Sequence, residues 1–299
     1  MLSAKKIIAL SLLEDRALND ITSDLTIPKN TLVTFEINAR EEIIFCGAEI
    51  ISEVFLQLKK STKFKNSKLD LKILVKDGAK LSAKKTIARG HGDAKLIFAG
   101  ERVILNLIQH LSGVATLTKK FVEALGNKKI KILDTRKTIP TLRALQKYAV
   151  KIGGGKNHRM NLSDLILVKD NHIAAAGGIK NAIEKIKNRQ PSTDNRQPIE
   201  VECDNFKQVA EAVSTSPDII MLDNMRPAEI KKCAALIRKK STKIKIEISG
   251  GVNLDNIKSF SHLNIDFISS GYLTHSARAV DIGLDVSRLV PNSKNRALN

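Results

Sequence analysis

The chain reads as two folded parts: an N-terminal α/β sandwich domain whose elements follow an α+β order, and an open, incomplete (six-stranded) α/β barrel. Three observations predict this. After Gly126 a strand-then-helix unit repeats six times, with strand ends at Asp134, Lys169, Glu202, Asp223, Ser249 and Gly271. The intervals of 35, 33, 21, 26 and 22 residues all suit βα units, and six strands fall short of the eight of a closed barrel. The first hundred residues lack that repeat, and 299 residues are enough for two cores. The expected domains are 1–112 and 113–274, with the tail 275–299 packing back on the first.

In chain order, Ala4 to Ala17 carries apolar residues at helical intervals and leads into the run DITSD at Asp20. Thr31 to Ala39 alternates like a half-buried strand, EIIFCG from Glu42 resembles another, and Ala48 to Leu58 returns to helical spacing. Lys72 to Val75 and Thr86 to Gly90 suggest further strands, with Asp77-Gly78 as a turn between them. From Gly100 a long amphipathic helix is expected, with Val103, Leu107 and Leu111 on one stripe and Arg102 in its first turn. A cation there opposes the helix macrodipole at about 0.3 to 1 kcal/mol unless an anion uses it. The plainer alternative is an exposed arginine.

The stretch from Ile130 to Ile173 carries the densest chemistry. ILDTRK and DLILVKD each have the length of a strand buried on both faces, and each ends in charge. Between them Thr141 to Val150 spaces Leu142, Leu145 and Ala149 as a helix does. Arg136, Lys137, His158, Arg159 and Lys169 thus cluster after strands, around the triple glycine Gly153 to Gly155. Functional groups of α/β folds gather at the carboxyl ends of strands, so these cations suggest an anion site, the alternative being that they only solubilise loops. Further on the strand ends carry Glu202, Asp223 with Asn224, then Ser249-Gly250-Gly251 and Ser270-Gly271. Glycine turns after the last strands let backbone N–H groups approach a phosphate. Each acid could instead pair with a strand-end lysine in a structural network. The segment Lys187 to Pro198 holds NRQP twice and reads as a small duplication in an exposed loop.

Composition narrows the partners. Lys and Arg number 50 against 31 Asp and Glu, a net charge of +19 that could attract nucleic acid or an acidic membrane. The lysines are scattered over many faces, however, aromatics make up 4%, and there is no Trp and no stacking platform. A nucleic-acid-binding protein is therefore not expected, and the surplus is read as a lysine-biased proteome first, with anionic substrates as a second contribution. Cys46, Cys203 and Cys233 lie too far apart for a zinc site or a disulfide scaffold, so a reducing cytoplasm is expected. The N-terminus lacks the pattern of a signal peptide, no run reaches transmembrane length, and no membrane partner is expected.

At these same residues the sequence resembles the quinolinate phosphoribosyltransferase family. The matching words are GERVILNLIQHLSG (Gly100 to Gly113), DTRKT (Asp134 to Thr138), GGGKNHR, LVKDNHI, VEC, LDN, SGG and SSGYLT, in family order between Asp20 and Thr274. Asn161 and Asn19 stand where the family usually has Gly, and neither is a charged position. The resemblance implies transfer of phosphoribose from phosphoribosyl pyrophosphate to quinolinate with decarboxylation, in NAD biosynthesis. It implies that Lys137, Glu202 and Asp223 are catalytic. It implies substrate contacts from Arg102, Arg136, Lys137, Thr138, His158 and Arg159, and from Lys169, Glu202, Asp223, Ser249, Gly250, Gly251, Ser270 and Gly271. Magnesium (Mg2+) is expected to accompany the pyrophosphate substrate, held by Glu202 and Asp223. The resemblance also implies a homodimer in which Arg102 reaches the neighbouring subunit's site. Within the enzyme class the alternatives are a paralogous barrel transferase associated with molybdate transport and a nicotinate-type phosphoribosyltransferase.

Overall fold

The computed structural model describes residues 3–190 and 196–288, and the chain divides into two compact units. One unit takes the chain up to Thr116, the segment Ala144–Gly153 and the chain from Ala277; the other takes Leu117–Arg143 and Gly154–Ser276. Pro191 to Asn195 of the NRQP segment and residues 289–299 of the tail lie outside the described residues.

The first unit contains strands β1 (Leu32–Ala39), β2 (Ile43–Ile44), β3 (Leu69–Ile73), β4 (Lys80–Leu81) and β5 (Thr86–Asp93). Its main sheet is antiparallel, with β1 between β5 and the C-terminal strand Ile282–Arg288, and β3 on the far side of β5; β2 and β4 pair separately. The alternation of TLVTFEINA is realised as burial of Val33, Phe35, Ile37 and Ala39. The helix Ala48–Leu58 buries Ile50, Ile51, Val54, Phe55 and Leu58, and Phe55 sits with its ring centroid 6.1 Å from that of Phe35. Two local caps set the first turns of the chain: Ser3 accepts the Lys6 N–H and Asp20 accepts the Ser23 N–H.

The long helix starts earlier than its amphipathic pattern suggested. It runs Ala94–Leu125, entered directly from β5, because the Asp93 carboxylate accepts the N–H groups of Lys95 and Leu96 and so caps it. Arg102 therefore stands in the third turn, exposed, and not in the first. The electrostatic cost reckoned for a first-turn cation does not arise, since the macrodipole acts within the terminal turn.

The second unit holds β6 (Lys131–Leu133), β7 (Ile166–Val168), β8 (Ile199–Cys203), β9 (Ile219–Asp223), β10 (Lys245–Ser249) and β11 (Phe267–Ser269). All pairs are parallel, in the order β6-β11-β10-β9-β8-β7. Strands consecutive in sequence, β6 and β7, thus stand at opposite edges of the sheet, which is the opening of a six-stranded barrel. Parallel neighbours need crossovers, and these are the helices Asp170–Ala176 with Ile179–Arg189, Phe206–Ser214 and Pro227–Lys240. After β10 and β11 the helices among the described residues are short turns, Ile257–Phe260 and Tyr272–His275.

Two local features place the functional residues. The helix expected over Thr141 to Val150 runs Arg143–Ile152 instead, because Thr141 has a left-handed φ of 69° that a helix cannot continue through. Beyond it, Lys156 pairs with the free edge of β6: its N–H donates to Ile132 O at 2.8 Å and its carbonyl accepts from Asp134 N at 3.2 Å. That pairing seats Asn157, His158 and Arg159 beside the carboxyl end of β6.

Candidate active site

A cavity of about 560 Å³ opens at the carboxyl ends of the barrel strands. Arg136 and Lys137 reach it from β6, His158 and Arg159 from the segment paired to β6, and Lys169 from β7. Asp223 enters from β9, Ser249, Gly250 and Gly251 from β10, and Ser270 and Gly271 from β11. Three further sequence candidates stand apart from this lining. Thr138 uses its hydroxyl to accept from Arg143 Nε at 3.0 Å. Glu202, buried near the end of β8, takes the Lys169 ammonium at 2.5 Å. Arg102 belongs to the other unit.

The cations show how the site is prepared for an anion. Arg136 Nε is buried without a hydrogen-bond partner. A desolvated donor in that state costs about 1 to 3 kcal/mol, a burden relieved when a ligand supplies the acceptor. The Arg159 guanidinium is held below its usual range by burial and then by the neighbouring charge of Arg136. Two like charges crowded in one cavity favour an anionic occupant.

His158 sits among carboxylates. Its Nε2 lies 3.0 Å from Glu200 Oε2 and 3.5 Å from Glu247 Oε2, and both acids are fully buried. Its backbone N–H donates to Asp134 Oδ1 at 2.9 Å, and its Nδ1 accepts the Arg159 N–H at 2.8 Å. Burial opposes charge on the ring, but Glu200 and Glu247 outweigh it and push the imidazole up to about 10. Burial and then the charge of Glu247 push the Glu200 carboxyl up as well. An acceptor role for Nδ1 requires a lone pair, which the imidazolium lacks. The hydrogen bond at Nδ1 takes precedence here, and it puts the ring proton on Nε2, towards the two carboxylates.

The glycine turns are sterically enforced. At Gly250, φ is +87° and an added Cβ would lie 2.3 Å from Asn224 Oδ1 and 2.6 Å from Asn224 N. At Gly271 it would lie 2.9 Å from Lys137 Cδ. Ser270 fixes the last turn by donating to Val252 O at 2.7 Å and accepting the Tyr272 N–H.

Carboxylate oxygens of Glu202, Asp204 and Asp223 come within 4.8 Å of one another. An oxygen-only donor set of this kind fits magnesium, which binds through one or two carboxylates plus substrate phosphates.

Comparison with known proteins then decides the family. The N-terminal domain profile of quinolinate phosphoribosyl transferase matches residues 20–112, and its C-terminal domain profile matches residues 114–285. The chain belongs to the quinolinate phosphoribosyltransferase family. It is 42% identical over 286 residues to a probable nicotinate-nucleotide pyrophosphorylase (carboxylating) of Bacillus subtilis, covering 96% of this chain and 94% of that protein. It is 35% identical over 295 residues to quinolinate phosphoribosyltransferase (decarboxylating) 1b of Nicotiana tabacum, covering 94% of this chain and 82% of that protein. The crystal structure of the nicotinate-nucleotide pyrophosphorylase from Ehrlichia chaffeensis superposes with a TM-score of 0.86 at 41% identity, covering 96% of this chain and 99% of that one.

In this family member several cavity residues went unassigned by the sequence reading. His275 and Tyr272 line the cavity from the short helix after β11. His275 directly follows the SSGYLT word, so its signal lay one residue beyond the motif. His172, inside LVKDNHI, also lines the cavity and accepts the Lys169 N–H at 3.1 Å through Nδ1. Asn224 donates to Asp223 Oδ2 at 2.6 Å from a left-handed φ of 53°.

Proposed function

We propose that this chain transfers the phosphoribosyl group of phosphoribosyl pyrophosphate to quinolinate, releasing pyrophosphate and carbon dioxide and giving nicotinate mononucleotide for NAD biosynthesis. The observation that carries the reading is one barrel cavity where Arg136, Lys137, Arg159 and Lys169 face two glycine turns. Quinolinate is a pyridine with two adjacent carboxylates, and planar guanidinium forks suit carboxylates. Arg136 and Arg159 would take those groups. Lys137 and Lys169 would neutralise carboxylate and pyrophosphate oxygens, and the turns at Gly250 and Gly271 would present N–H groups to phosphate.

The chemistry has a required order. The pyridine nitrogen attacks C1 of the ribose as the C1–pyrophosphate bond breaks, through an oxocarbenium-like ribose that nearby Glu202 and Asp223 would stabilise. The ring is then cationic, which lets the carboxylate next to nitrogen depart as carbon dioxide and leave its electron pair on that carbon, to be closed by a proton. Glu202 and Asp223, with Asp204 beside them, would hold magnesium, which when bound offsets the charge of the pyrophosphate.

We further infer a cytoplasmic homodimer in which Arg102 serves the neighbouring subunit's site. The motif GERVILNLIQHLSG that carries Arg102 supports this, as does its exposure on the long helix; three buried free cysteines suit a reducing compartment. Refolding inactive Arg102→Ala chains with equal inactive Lys137→Ala chains tests it. Random pairing makes about half the dimers mixed, each with one intact site, and returns roughly a quarter of wild-type activity. A mixture shown to contain mixed dimers, yet no more active than either variant alone, contradicts the shared site. For the reaction itself, the discriminating substrate is nicotinate: product from nicotinate and none from quinolinate would overturn the reading.

A further inference from the structure

The barrel interior contains two carboxylates that the transfer chemistry described above does not use, Glu247 at the cavity wall and Glu200 outside its lining. Glu200 lies on β8 and Glu247 on β10, each two residues before a site residue, Glu202 and Ser249 respectively. Alternation along a strand therefore points them inward on the same face as the site. Both are fully buried. Barrel interiors are ordinarily filled by Val, Ile and Leu, and buried carboxylates are costly unless they hold something in place. They face the His158 ring as ion pairs, Nε2 lying 3.0 Å from Glu200 Oε2 and 3.5 Å from Glu247 Oε2, and among the described residues no other hydrogen-bond partner satisfies their oxygens. The opposite ring nitrogen accepts the backbone N–H of Arg159 at 2.8 Å. Behind it, Asp134 accepts the His158 N–H at 2.9 Å and the Asn157 side-chain amide at 2.5 Å.

We infer that Glu200 and Glu247 are positioning residues for substrate recognition: they hold His158 by Nε2, His158 holds the Arg159 backbone by Nδ1, and this chain sets where the Arg159 fork meets a substrate carboxylate. It rests on the assignment of Arg159 to quinolinate. With both ring nitrogens engaged inside the protein, His158 acts through Arg159 and not as a hydrogen-bond donor to the substrate. Glu200 stands outside the cavity lining, and Glu247, which lines it, is fully buried and faces His158, so both are assigned a positioning role and not a catalytic one.

The test uses the full-length enzyme and four variants, Glu200→Leu, Glu247→Leu, Glu200→Gln and Glu247→Gln. Leucine fills the space but removes the acceptor; glutamine keeps a carbonyl acceptor without the charge. Because misplacing a positioning group by about 1 Å can cost on the order of a hundredfold, the leucine variants are expected to raise KM for quinolinate about tenfold or more. KM for phosphoribosyl pyrophosphate should stay within about twofold, and the glutamine variants should recover most of the loss. An unchanged quinolinate KM in the leucine variants, with a lowered melting temperature, would mean that the acids only fill the core, and would overturn the inference. So would glutamine variants as impaired as leucine ones. Should the leucine variants not fold, nitrogen NMR of wild-type His158 decides: Nε2 protonated with Nδ1 bearing a lone pair supports the chain, and a ring protonated at Nδ1 breaks it. Arg159→Ala separates the two claims. If that variant binds quinolinate normally, the Arg159 assignment fails and takes the inference with it; if it is impaired while the leucine variants are not, only the inference fails.

Discussion

Gly250→Ala is the smallest change that reaches both the phosphate turn and the carboxylate end of β9. The backbone there has φ +87°, and holding an L-residue in left-handed conformation costs about 1 to 2 kcal/mol. The new methyl would stand 2.3 Å from Asn224 Oδ1, a contact that side-chain rotation can relieve, and 2.6 Å from Asn224 N, which rotation cannot. Opening that second contact to 3.0 Å means moving backbone by about 0.4 Å, with an overpacking cost of about 1 to 3 kcal/mol. Asn224 N also donates to Ser249 O at 3.0 Å, so the shift passes to Asp223, the adjoining residue and proposed magnesium ligand. The sum of about 2 to 5 kcal/mol should lower the melting temperature by about 2 to 4 °C for each kcal/mol. KM for phosphoribosyl pyrophosphate should rise about tenfold or more, which corresponds to about 1.4 kcal/mol of lost binding. Gly251→Ala is the control, since at φ +62° its added Cβ meets nothing within 4 Å. Melting by calorimetry and initial rates at varied phosphoribosyl pyrophosphate give both readings. Equal effects from the two substitutions would refute the steric argument.

Further expectations follow from the same geometry. Lys137→Ala and Glu202→Gln should each depress turnover, at a cost on the order of 3 to 4 kcal/mol of transition-state stabilisation, far more than they change melting; wild-type turnover at saturating substrate removes either residue from the mechanism. Arg159→Lys should raise KM for quinolinate although charge is kept, because an ammonium cannot present a bidentate fork, and an unchanged KM would exclude a direct contact. Asp266 gives a pH test. Burial works to raise its carboxyl, but the Ile246 N–H, Arg238 and Lys245 outweigh it and hold the group below its ordinary value of 3.8. A depressed carboxylate contributes stability above the unfolded value and loses it as pH falls through the folded value. Asp266→Asn should therefore destabilise by about 1.5 to 3 kcal/mol at pH 7, with the gap to wild type constant above pH 3.8 and closing below it; a gap in chemical denaturation that stays constant as pH falls well below that value contradicts it.

Much of the barrel was legible because each parallel strand is a short apolar run that stops in charge or glycine, as at ILDTRK and EISGG. The start of the long helix was not, since GHGDAKLIF runs from strand to helix with no proline and no gap, and the only signal is Asp93 acting as a cap. Thr141 hid the next helix boundary in the same way, by a backbone angle that composition does not reveal. IGLDVSR reads as an alternating strand, yet its partner β1 lies at the other end of the chain, and local patterns carry no record of such a pairing. Glu200 and Glu247 were invisible for a different reason. In IEVEC and KIEIS an acid between apolar residues looks like the solvated face of a strand, and only the barrel turns that face inward. The cation cluster at Arg136, Lys137, His158, Arg159 and Lys169 stood out as residue types, whereas the internal bonds of His158 required coordinates.

The measurement that bears most directly on the account is product analysis with quinolinate labelled at the carboxylate next to the ring nitrogen, together with phosphoribosyl pyrophosphate and magnesium. The account predicts labelled carbon dioxide, pyrophosphate and nicotinate mononucleotide in equal amounts, and none of the three without phosphoribosyl pyrophosphate, since the ring must become cationic before the carboxylate can leave. Labelled carbon dioxide released without phosphoribosyl pyrophosphate, or a mononucleotide that retains both carboxylates, would contradict it.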